Sequence, residues 1–179
     1  MTLRVDFGGT GHGGEWVTVN VDGQGIAHPA PDIVADVTNA FDMLSSGFEQ
    51  DTIDEAQCVA TFEHLPAHLL VETLRMWRTL LKPDARLLIM VPDMRRLAED
   101  WLAGRISNKT YMDCVFSPPE WTQKAPGEVH RYGFDADLLI GMLTEAGYRD
   151  AQVDTEFHPD MVFYVGSYVV PNLTVIAWK

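Results

Sequence analysis

The sequence predicts an α/β fold built on a largely parallel sheet of about seven strands, and three observations carry the prediction. Short apolar, β-branched runs recur along the chain with turn residues between them. The run AQCVATF (56–62), a long helical stripe after Pro66 and the run RLLIMV (86–91) follow one another as strand, helix and strand. Such a succession is a crossover unit, and crossovers join parallel strands with right-handed connections.

LRVDF (3–7) and WVTVNV (16–21) read as the first two strands and DIVAD (32–36) as a third. AQCVATF is nearly all apolar, as a strand buried on both faces is expected to be. From Pro66 onward Leu69, Leu70, Leu74, Trp77, Leu80 and Leu81 repeat at helical spacing and form one stripe. Proline suits the first turn of that helix, and Pro83 is its expected stop. RLLIMV is then the fifth strand, ended by Pro92. DMRRLAEDWLAG (93–104) reads as a short helix closed by Gly104. Residues 105–133 read as irregular, rich in aromatics and interrupted by Pro118 and Pro119. DADLLIGMLTEAGY (135–148) is an amphipathic helix with Asp135 as N-cap and Gly147 just past its end. AQVDTEF (151–157) and LTVIAWK (173–179) close the chain as strands, with MVFYVGSYVV (161–170) an extended run near them.

The 179 residues make one expected domain, 1–179, with 13 basic against 26 acidic side chains and a formal charge of −13. A field of that sign repels phosphate backbones and anionic lipid, so neither nucleic acid nor a membrane surface is an expected partner. The two cysteines, Cys58 and Cys114, sit in apolar stretches and read as buried thiols, not as a disulfide framework. MTLRVDF lacks the apolar segment of a signal peptide, and no apolar run approaches ~18 residues. A cytoplasmic protein is expected.

Gly8, Gly9, Gly11, Gly13 and Gly14 follow the first strand, and Asp22 closes the second. In a nucleotide-binding unit, glycines admit the ligand to the backbone and an acid about 20 residues on takes the ribose hydroxyls. Both strands here fit between Asp6 and Asp22, with no room for the usual intervening helix. In isolation the cluster reads equally as a tight turn or a ligand loop.

The ordered segments VDFGGTG, WVTVNVD, DIVADV, VATFEHLP, RTLLKPDARLLIMVPD and HRYGFDADLLIGMLTEAGY resemble those of class I S-adenosylmethionine-dependent methyltransferases. More narrowly, the chain resembles a compact bacterial group of methyltransferases with a shortened first glycine motif, and the resemblance covers residues 3–153. It implies a Rossmann-like methyltransferase fold whose last strand is antiparallel, with S-adenosylmethionine bound at the carboxyl ends of the first four strands. Gly8, Gly9, Thr10 and Gly11 then match the first glycine motif, although Thr10 stands where the family has its second glycine. Asp22 matches the ribose-binding acid, Asp36 the residue near the adenine amino group, and Val37 a neighbour of the ring. Glu63 and His64 match the pair that ends strand four beside the transferred methyl. KPDA (82–85) replaces the family's KPGG.

Each assignment has a plainer rival: Asp22 and Asp36 can end strands, and His64 can satisfy a backbone group. His64 and His68 are spaced i,i+4 as zinc ligands are, but Glu63 precedes the pair and Pro66 puts His64 ahead of the helix, so no metal site is expected. Methyl transfer to oxygen needs a base, and the candidates are His64, His130 and Asp93. The acceptor implied by the family is a small metabolite or glycan. A non-catalytic relic of the fold and a nicotinamide-dependent oxidoreductase are the alternatives. Residues 94–133 are expected to form a substrate lid, with a packed surface insertion as the rival. The segment DGQGIAHPAPD (22–32) also leaves no room for a helix, so one sheet face is expected to have reduced helix cover. Parallel strands are apolar on both sides, so the helix near 94–103, the run MVFYVGSYVV or a second subunit must bury that face. A homodimer using it or the edge strands is expected, with a monomer as the rival.

Overall fold

In the computed structural model, which describes residues 2–9, 15–20, 30–156 and 162–179, the first three strands are β1 (Arg4–Phe7), β2 (Trp16–Asn20) and β3 (Ile33–Val34). β4 (Ile53–Val59), β5 (Leu81–Pro92), β6 (Arg149–Val153) and β9 (Asn172–Trp178) complete a seven-stranded sheet ordered β3-β2-β1-β4-β5-β9-β6. β1, β2, β3, β4 and β5 pair in parallel, and β9 runs antiparallel to both β5 and β6. This is the expected Rossmann-like methyltransferase architecture. The extended run near the carboxyl end is a separate hairpin, β7 (Tyr164–Val165) and β8 (Tyr168–Val169), turned by Gly166 at φ +60°.

The helices are α1 (Ala40–Ser45), α2 (Leu70–Leu80), α3 (Met94–Leu102), α4 (Asn108–Phe116), α5 (Pro119–Thr122) and α6 (Ala136–Glu145). Asn39 caps α1, a helix the sequence reading did not anticipate, by accepting from the amides of Phe41 and Asp42. α2 starts later than Pro66, because Ala67–Leu69 form a 3-10 turn. It also stops before Pro83, because Leu81 leaves the helix to pair with Ile53 in the sheet. Leu70, Leu74, Trp77 and Leu80 face inward as the stripe required. Asp135 caps α6 by accepting from the Leu138 amide, and Gly147 follows at φ +94°.

Residues 105–133 are not irregular: they hold α4, α5 and a 3-10 turn at Pro126–Glu128. The signals were local ones, Ser107 accepting from the Thr110 amide and Pro119 in the first turn of α5. α3, α4 and the hairpin share a small core of Leu97, Cys114 and Val170.

The two sheet faces differ at β1 and β4, which are not apolar on both sides as expected, whereas β5 keeps apolar Leu88 and Met90 buried on the second face. Side chains alternate along a strand, and the register puts Val5, Ala56, Leu87 and Ala177 on one face with Phe7, Cys58, Ile89 and Val175. All of these belong to the main core, together with residues of α1, α2 and α6. The opposite face carries Arg4, Glu55 and Arg86 in one row and Thr18, Asp6, Gln57, Leu88 and Ile176 in the next. None of these joins either core cluster. Arg4 and Arg86 both pair with Glu55, and Gln57 donates to Asp6 at 3.0 Å. β4 begins at Ile53, three residues before the run AQCVATF, and Glu55, outside that run, lies with Gln57 on the second face.

Candidate functional site

The sheet order reverses beside β1, and ligands in open α/β sheets bind at such a point, outside the carboxyl ends of the strands. Four expected site segments reach that edge. Gly8 and Gly9 follow β1, Asp36 and Val37 follow β3, Glu63 and His64 follow β4, and Asp93 follows β5. Thr10, Gly11 and Asp22 lie outside the described residues.

Gly8 sits at φ +89°, and a Cβ there would lie 2.1 Å from Thr61 Cγ2. Its amide donates to Val19 O at 2.7 Å, and its carbonyl accepts from Asn20 Nδ2 at 2.8 Å. At Gly9 a Cβ would meet the Asp6 carboxylate at 2.6 Å. Both glycines are therefore required by the chain's own close packing between β1 and the end of β4. Asp36 Oδ1 accepts from the amide and the hydroxyl of Thr38, at 2.9 and 2.7 Å, and so shapes the turn into α1. Val37 is 5% exposed and packs in the main core, while its carbonyl accepts from Trp77 Nε1 at 2.8 Å. Asp93 caps α3 by accepting from the Arg96 amide.

The end of β4 is built differently from a plain strand terminus. Ala60 takes φ +47°, and Phe62–His64 form a 3-10 turn that buries Glu63 to 1% exposure. The segment returning from α5 is hydrogen-bonded onto this turn. The amides of Arg131 and Tyr132 donate to Glu63 O at 2.8 and 3.2 Å, and His64 Nδ1 donates to Val129 O at 3.2 Å. His130 Nδ1 in turn donates to Cys114 O at 2.9 Å, and the two imidazole rings meet edge to face, 4.8 Å between centroids. His64 and His130, 66 positions apart in chain order, thus come together with Glu63.

Burial dominates the electrostatics of this group. It pushes the Glu63 carboxyl up to about 8 and drives His64 down to about 4, with His130 lowering His64 further. Burial also lowers His130. Both imidazoles are neutral at pH 7, and since each Nδ1 donates to a carbonyl, Nε2 carries the lone pair. At about 4, His64 is a weak acceptor for a hydroxyl proton. Glu63 Oε2 is buried and has no hydrogen-bond partner among the described residues. The carbonyls of Val129 and Cys114, which set both tautomers, carry no side-chain signal and could not be read from the sequence. His68 is exposed and stands outside the cluster. An open groove of about 570 Å³, lined by Met94, Arg95, Gly133, Phe134, Asp135 and Leu138, contains none of the expected site residues.

Residues 5–153 match the family described as a methyltransferase domain. No curated protein matches the chain. Among solved structures, a SAM-dependent methyltransferase from Archaeoglobus fulgidus superposes with a TM-score of 0.60 at 16% identity, over 99% of this chain and 86% of that one. A SAM-dependent methyltransferase from Methanosarcina mazei gives 0.59 at 14% identity, over 98% and 91%. The trans-methyltransferase CalH, solved in complex with SAH, gives 0.57 at 16% identity, over 99% of this chain and 51% of that one. At these identities the likeness is one of fold.

Proposed function

The chain belongs to the methyltransferase-domain family, and on that premise we propose that it transfers a methyl group from S-adenosylmethionine to a small metabolite or glycan-type acceptor. The observation that carries the reading is the gathering of Gly8, Asp36, Glu63 and His64 at one sheet edge, at the strand-order reversal, within the matched residues. The residues there suit the cofactor. The turn at Gly8 carries no Cβ, and the carboxylate assigned to the ribose, Asp22, suits its hydroxyls.

S-adenosylmethionine supplies an electrophilic methyl group, so the protein's task is to orient the acceptor and exclude water. In this reading Gly8, Gly9, Thr10, Gly11 and Asp22 hold the methionine and ribose parts, Asp36 and Val37 border the adenine, and Glu63 closes the site below the methyl. Asp36 keeps Oδ1 on Thr38, which fixes the orientation of its carboxylate. His64 and His130 flank the acceptor with neutral imidazoles. Residues 94–133 act as the lid, since the segment that contains His130 is bonded onto the end of β4.

Calorimetric titration with S-adenosylmethionine and S-adenosylhomocysteine tests the reading. Both are expected to bind, and binding of neither by a folded protein overturns it. Asp22→Ala is expected to weaken binding by about 1–3 kcal/mol, the range for hydrogen bonds to a charged acceptor. An unchanged affinity would remove Asp22 from the site.

A further inference from the structure

The geometry points to a three-ligand site for a divalent transition cation at Glu63, His64 and His130. It rests on the methyltransferase reading for its role, and it assigns to the acceptor an oxygen that binds the cation.

One ring nitrogen of each histidine and a carboxylate oxygen of Glu63 lie within 4.8 Å of one another. Bonds of about 2.0–2.2 Å to a common ion bring neighbouring donors roughly 3–3.5 Å apart. From separations of up to 4.8 Å, closing onto an ion requires side-chain shifts of about an ångström. Two imidazoles with one carboxylate suit borderline cations such as Zn²⁺, Mn²⁺, Co²⁺ or Fe²⁺. Metal-bound histidines usually anchor the ring nitrogen that does not bind metal on a carbonyl or carboxylate. Both histidines here already do so, through Val129 O and Cys114 O, which leaves Nε2 for the ion.

Glu63 Oε2 makes the assignment specific. Among the described residues no donor reaches this buried carboxyl oxygen; such an oxygen is costly, and a cation at this position would partner it. The scaffold is held without any ligand, because Arg131 and Tyr132 tie the His130 segment to the Glu63 carbonyl. Glu128 lies near enough to act on Glu63, and Arg131 on His64, so the surroundings hold one further charge of each sign. Both histidines are half-buried, not sealed, which leaves a path for the ion.

Three protein ligands leave coordination positions open. An acceptor hydroxyl in one of them would lose its proton to solvent on binding, because a bound cation lowers the pKa of a coordinated hydroxyl. That supplies an oxyanion without asking a buried histidine to act as base, and it favours acceptors with a hydroxyl or with two neighbouring oxygens.

The test uses the full chain stripped with EDTA and titrated calorimetrically with MnCl₂, CoCl₂ and ZnCl₂, with the visible absorption of Co²⁺ as a second readout of nitrogen and oxygen ligation. One equivalent is expected to bind. Glu63→Gln and His130→Asn are each expected to weaken binding by more than about tenfold, the least that even an outer partner of a metal ligand contributes. His68→Ala is expected to leave it unchanged. Should Glu63→Gln fail to fold, His130→Asn decides, because its segment lies at the surface. No binding of any of the three ions, or binding indifferent to both substitutions, overturns the site. S-adenosylmethionine titrated into the same stripped protein separates the readings. Cofactor binding without metal binding discards the cation site alone, and metal binding without cofactor binding discards the methyltransferase reading alone.

Discussion

Gly8 shows how a motif glycine can answer to the protein before it answers to a ligand. Its φ of +89° and the Thr61 methyl 2.1 Å from where a Cβ would stand are two separate obstacles. Gly47 shares the first obstacle, at φ +95°, but has nothing within 4 Å. Gly47→Ala is therefore expected to cost about 1–2 kcal/mol, the strain of a left-handed residue. Gly8→Ala adds overpacking and is expected to cost about 2–4 kcal/mol. Urea denaturation of the two variants measures the difference, and equal costs would show that Thr61 yields without penalty. Asp84 makes the same point within KPDA. It adopts φ +64°, a conformation open to a glycine, and keeps the turn that the substitution put in question.

At the scale of the element, α6 depends on a cap that also joins two parts of the fold. Asp135 accepts from the Leu138 amide at 3.0 Å and from Arg95 of α3 at 3.0 Å. The Arg95 pairing is largely exposed, with 62% of the Arg95 side chain accessible, and such pairs contribute little. The cap carries the effect. Asp135→Ala is expected to lower stability by about 1 kcal/mol, while Asp135→Asn, which caps equally well, costs only a few tenths. Thermal or chemical denaturation of the pair checks this, and equal losses would assign the effect to Arg95 instead. Asp135 and Gly147 were legible as the bounds of α6 because capping is local. α1 escaped notice although Asn39 is as clear a cap, because its six residues offer too few turns for a periodic stripe.

For the whole molecule, the question is what faces the side of the sheet opposite α1, α2 and α6. The described residues there include Arg4 and Arg86, each paired with Glu55, beside buried Leu88 and Met90. A homodimer through this face would take those charges out of water, and the desolvation penalty opposes it. Light scattering is accordingly expected to give the mass of one chain, 20.0 kDa. A dimer mass would show that an interface forms despite this charged row. No helix among the described residues is long and apolar enough to cross a membrane.

The sequence by itself determined the strands, the two long helices and the order in which they follow one another. Periodicity, caps and turn residues act within a few positions and survive in any reading of the chain. It also held the polar residues Arg4, Asp6 and Gln57 at alternating strand positions, and Glu55 joins them once β4 begins at Ile53. Only the tertiary structure decided that β9 inserts between β5 and β6, that α4 and α5 shape the segment before His130, and that His130 meets Glu63 and His64. Those outcomes depend on long-range closure, in which backbone amides at Arg131 and Tyr132 bond to a carbonyl more than 60 residues earlier. Every residue carries the same backbone donor and acceptor, so the sequence gives no sign of which of them will meet.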